Sequence, residues 1–201
     1  MLDGMGITTC AILENRLDGE KLGTLAVQLT ANSRLATFMR EFDTTLRTAC
    51  PQLRAELHAE PWQFHQIDGW LVEGGWAAGR RGECDGPFGT LYLYENLAEL
   101  SWHWCRWHVF LREARFRNPL YEATRLVSTM LNAGAASTTV FLPDSSYDES
   151  LAHDELHRSM PELLGFLGQK CGPPAASLES IAQEPFKGYY VTRWSAGGVG
   201  I

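Results

Sequence analysis

The chain lacks most of the local patterns that announce a reaction. No GxGxxG or GxxxxGK[ST] loop is present to cradle phosphates, and no GxSxG elbow presents a nucleophilic serine, so nucleotide-binding enzymes and hydrolases of those types are not expected. No apolar run approaches the roughly 18 residues that a transmembrane helix needs. The first residues, MLDGMGITTCAILENR, open with an acid and carry only a short apolar run, which is not the pattern of a secretory leader. The five cysteines, at positions 10, 50, 84, 105 and 171, are odd in number and contain no CxxC pair; reduced thiols in a cytoplasm are expected rather than a disulfide framework. Positive charge is scarce. With 17 Lys and Arg against 24 Asp and Glu, the formal charge is −7, the wrong sign for nonspecific binding to a phosphate backbone.

What is present is the composition of an ordinary folded protein: 45% hydrophobic and 20% charged residues in 201 positions, enough to bury one sizeable core. The expectation is a single α+β domain over residues 1–195 with a flexible tail at 196–201, a mostly antiparallel sheet and four to five helices packed on one of its faces. The stretch Asn96–Arg117 stands out, because it holds three of the seven tryptophans. Leu97, Leu100, Trp104, Trp107, Leu111 and Ala114 recur at steps of three and four, which predicts a helix with Asn96 and Glu99 as a capping box. Alternation is the competing reading, with Leu100, Trp102, Trp104, Arg106, His108 and Phe110 on one strand face.

Elsewhere the pattern predicts strands at Ile7–Glu14 and Thr24–Thr30, with Asp18-Gly19 between them. A helix carrying Leu35, Phe38, Met39, Phe42 and Leu46 follows, capped by Asn32 or Ser33 and closed by Pro51. Strand and turn follow from Trp62, with a hairpin signal at Asp68-Gly69. Gly79–Gly89 reads as loop and Thr90–Tyr94 as strand. Asn118-Pro119 reads as the start of a helix, Thr138–Leu142 as a strand, Ser146 with Glu149 as the cap of another helix and Ser159 with Glu162 as a further start. Gly188–Trp194 reads as the last strand.

Three constellations carry candidate chemistry. His153 and His157 stand at i,i+4 in HDELH, a spacing that places two imidazoles on one helical face; Asp154 sits where a zincin needs glutamate, and His103 or His108 is the conceivable third ligand. Cys105 and His108, three apart, form a candidate thiol–imidazole pair, against the plainer reading of a thiol packed among tryptophans; Cys84 in GECDG looks the more accessible thiol but has no base nearby. The acidic segment from Asp144 to Glu162 sets Asp144, Asp148, Glu149, Asp154, Glu155 and Glu162 against Arg158 alone. It reads either as a solvated helix face or as a docking surface for a basic protein. Arg106, Arg112, Arg115 and Arg117 read as side chains snorkelling at the rim of an aromatic core.

A small, acidic, tryptophan-rich domain without catalytic motifs resembles, in general character, the immunity proteins that neutralise bacterial toxins. The resemblance implies a non-enzymatic cytoplasmic inhibitor of a basic toxin or effector; the missing motifs, the negative charge and the lack of long apolar runs add the expectation of no cofactor, no nucleic acid and no membrane. From the charge of the acidic segment alone, Asp144, Asp148, Glu149, Asp154 and Glu155 are the expected partner-binding residues. The competing class is a small metal- or thiol-dependent hydrolase using His153/His157 or Cys105/His108, and a third is a scaffold component.

Overall fold

The computed structural model describes residues 9–49, 61–66, 81–87, 89–102, 111–143, 158–183 and 188–196. They form one seven-stranded antiparallel sheet with five helices, the α+β class that composition and pattern imply. The strands are β1 (Thr9–Glu14), β2 (Gln63–Gln66), β3 (Gly82–Asp85), β4 (Gly89–Leu93), β5 (Leu97–Trp102), β6 (Ser137–Pro143) and β7 (Tyr190–Trp194). Their spatial order is β2-β3-β4-β5-β1-β6-β7. The helices are α1 (Gly19–Ala31), α2 (Ser33–Ala49), α3 (Ala114–Leu131), α4 (Met160–Cys171) and α5 (Leu178–Ile181).

Side chains alternate across a strand, so the register assigns each residue to a face. One cross-strand row runs Phe64, Cys84, Leu91, Leu100, Ala11, Phe141 and Tyr190 through all seven strands. Every member belongs to, or packs against, the larger core cluster. Leu22, Leu25 and Leu29 of α1, Leu35, Phe38 and Phe42 of α2, Phe116, Leu120, Ala123 and Val127 of α3, and Leu178 and Ile181 of α5 complete that cluster. Four helices therefore lie on this face. The fifth, α4, lies on the other: Met160, Leu163 and Leu167 pack with Ile12, Leu97, Val140 and Leu142 in a second cluster. Burial on this scale, at about 25 cal/mol per Å² of apolar surface, is the main favourable term holding both layers to the sheet.

Several elements form as their residues predict. Asn32 caps α2, its Oδ1 accepting from the backbone of Arg34 and Leu35 at 3.0 Å. Ser159 and Glu162 close a reciprocal capping box on α4, and Gly172 ends that helix at φ 80°. Ser137–Pro143 and Tyr190–Trp194 are strands.

Four expectations are overturned. Thr24–Thr30 is not a strand but the body of α1: Asp18 caps it by accepting from the Lys21 backbone, and Leu22, Leu25, Ala26 and Leu29 bury one helical stripe. Asn96 does not cap a helix. Glu95-Asn96 is a two-residue hairpin turn closed by Tyr94 N–H to the Leu97 carbonyl, and Leu97–Trp102 is strand β5, with Leu100 and Trp102 on one face as in the alternation reading. Gly79–Gly89 is not all loop, because Gly82–Asp85 pairs with β2 on one side and β4 on the other. The helix expected at Asn118-Pro119 starts earlier, at Ala114. Phe116 and Arg117 donate their N–H groups to the Glu113 carbonyl, and Pro119 falls inside the helix, where it forgoes one backbone hydrogen bond. Trp104, Trp107, Asp68-Gly69 and the helix expected from Ser146 lie outside the described residues. Among the described residues, no helix is long and apolar enough to cross a membrane.

Candidate functional site

The residues singled out from sequence fall largely beyond what the structure describes. His103, Cys105, His108, Asp144, Asp148, Glu149, His153, Asp154, Glu155 and His157 all lie outside the described residues. Glu162, at the end of the acidic segment, is described and acts locally. Its carboxylate accepts from the Ser159 backbone at 2.9 Å and from the Ser159 hydroxyl at 2.6 Å. That fixes the start of α4.

Cys84 is not accessible. It lies at 0% exposure in β3 on the apolar face of the sheet, and desolvation, reinforced by the charges of Asp85 and Glu83, pushes its thiol up to about 12. A thiol held neutral and away from solvent is a core side chain, not a nucleophile. The arginines of the central stretch also prove structural where described. Arg112 donates to the Ala182 carbonyl at 2.8 Å, and Arg117 donates to the Leu111 carbonyl at 2.8 Å and pairs with Glu179 at 3.1 Å. Together they tie α5 to the segment leading into α3. Arg115 pairs with Glu113 at 2.7 Å and lies over the Phe116 ring.

The feature that sequence reading missed is the second face of the sheet over β2–β5. On the α4 face, one row reads His65, Glu83, Tyr92, Glu99, then Ile12, Val140 and Val191. The neighbouring row reads Gln63, Asp85, Thr90, Ser101, Cys10 and Leu142. Both rows are apolar beneath α4 and turn polar and acidic toward β2. The opposite face of the same four strands carries Phe64, Cys84, Leu91, Leu93, Ala98, Leu100 and Trp102. Half of the sheet is thus an amphipathic plate.

The geometry of this polar plate is set by tight connections. Three residues, Tyr94–Asn96, join β4 to β5, and Gly86 N–H donating to the Gly89 carbonyl closes the link between β3 and β4. A Cβ on Gly89 would come within 2.5 Å of the Ser101 carbonyl oxygen, so glycine is what lets β4 and β5 approach there. The Thr90 hydroxyl donates to Asp85 at 2.6 Å, and His65 Nε2 stands 3.9 Å from the other Asp85 oxygen. Glu83, Asp85, Tyr92 and Ser101 are half-buried, while Thr90 and Glu99 are buried at 8% and 7% exposure. Among the described residues, no group of three or more His, Cys, Asp and Glu side chains is placed to hold a metal ion. The half-buried carboxylates of Glu83 and Asp85 are equipped to accept charge-assisted hydrogen bonds from ammonium or guanidinium groups.

The local signal for this plate was the alternation of Glu83, Asp85, Thr90, Tyr92, Glu99 and Ser101 with the apolar residues between them. Comparison of the chain with protein-family models, with curated proteins and with solved structures gives no match in any of the three.

Proposed function

We propose that this protein is a non-enzymatic binding protein that antagonises or shields a basic partner protein, a cytoplasmic inhibitor of the same general character as the immunity proteins of bacterial toxins. The observation that supports this reading is the acidic plate on β2–β5. Strands β2–β5 keep one face apolar and place the half-buried Glu83 and Asp85 on the other, a surface suited to cationic side chains. The formal charge of −7 extends that preference over longer range, and complementary charge raises association rates more than it raises stability. The acidic segment with Asp144, Asp148, Glu149, Asp154 and Glu155 adds to the same preference by its composition.

The test begins with affinity capture from the native host and then measures association with the purified partner at two ionic strengths. The double variant Glu83→Gln/Asp85→Asn is expected to slow association about tenfold at low salt, within the range that steering supplies, and the wild-type rate is expected to fall as salt rises. Rates that are equal for variant and wild type, and insensitive to salt, would overturn the reading. So would a hydrolytic activity of the purified protein abolished by His153→Ala/His157→Ala or by Cys105→Ala.

A further inference from the structure

We draw no further inference here: the strongest candidate, the half-exposed aromatic patch of Tyr121 and Tyr190 beside Trp194 along the outer strand β7, carries nothing because no feature of the structure shows what covers it.

Discussion

Thr90 and Asp85 face each other in the register of β3 and β4, and the Thr90 hydroxyl donates to the Asp85 carboxylate at 2.6 Å. Thr90 is buried at 8% exposure, whereas Asp85 remains half-exposed. Solvent around the carboxylate discounts the charge-assisted bond, so a double-mutant cycle of Thr90→Val and Asp85→Asn is expected to return a coupling of about 1 kcal/mol. Urea denaturation of the four proteins measures it. Strict additivity would mean that the two side chains do not meet in solution.

The ring of Trp62 occupies the space that a Cβ on Gly86 would need: the two would lie 2.3 Å apart. Trp62 is buried, and its backbone N–H is held by the Thr30 hydroxyl at 3.0 Å, so the indole has little freedom to withdraw. Gly86→Ala is expected to cost about 1–3 kcal/mol, as overpacking does. Gly23→Ala, inside α1 with nothing within 4 Å, is the contrasting control and is expected to add about 0.5–1 kcal/mol through helix propensity. Thermal melts of opposite sign are the expected pair of results.

Cys84 makes stability fall on the alkaline side. In the unfolded chain its thiol ionises near the ordinary value of 9.0, while in the fold burial holds it neutral to about 12. The folded state therefore keeps a proton that the unfolded state loses. The contribution is whole below pH 9 and declines above it, with a slope of at most about 1.4 kcal/mol per pH unit. Tyr121 and Tyr189, also raised by burial, act in the same direction from a higher starting pH. Denaturation midpoints of Cys84→Ala are expected to decline less steeply than wild type between pH 9 and 11. Parallel profiles would show that the thiol titrates freely. At neutral pH a thiol reagent is expected to modify the exposed Cys171 and to spare Cys84 until the protein unfolds.

The capping box on α4 gives a fourth test. Ser159→Ala removes one half of it, and loss of an N-cap hydroxyl typically costs about 1 kcal/mol. Because Met160 begins the stripe that covers Ile12 and Val140, the loss is expected to appear as faster amide exchange in α4 as well as a lower melting temperature. Unchanged exchange in α4 would show that packing alone holds its first turn.

Where local chemistry and burial agreed, the fold was readable from the residues. Asn32 with Leu35, Phe38 and Phe42 specified α2, and Ser159 with Glu162 specified the start of α4. Where they disagreed, burial won. Thr24, Val27 and Thr30 favour strands, but Leu22, Leu25 and Leu29 are spaced for a helix and carry the buried surface. Leu97–Leu100 is buried at every position, with Ala98 and Leu100 in the larger core and Leu97 in the cluster under α4, so this half of β5 lacks the exposure pattern that marks a half-exposed strand. Its leucines fell by chance at helical spacing. Gly82 and Gly89 suggested a loop, yet each marks a close approach, to the Phe64 ring and to the Ser101 carbonyl. The acidic plate was harder still. Glu83 and Asp85 share a face by alternation within β3, but their alignment with Tyr92, Thr90, Glu99 and Ser101 comes only from the pairing of β3, β4 and β5, information that no single segment contains.

The position of β1 has a consequence for the order of assembly. It precedes every other described strand in the chain, yet it lies between β5 and β6, with Glu14 opposite Leu97 and Thr9 opposite Pro143. The pairings that join β2–β5 to β6–β7 thus run through a segment that must wait for partners made much later. During synthesis, Ala11, Ile12 and Leu13, all at 0% exposure in the finished fold, have neither neighbour until the ribosome has passed β5 and then β6. Long-range closure of this kind slows folding and leaves an apolar strand open to wrong pairing in the interval. Stability here is cooperative by construction, because the two halves of the sheet share one strand.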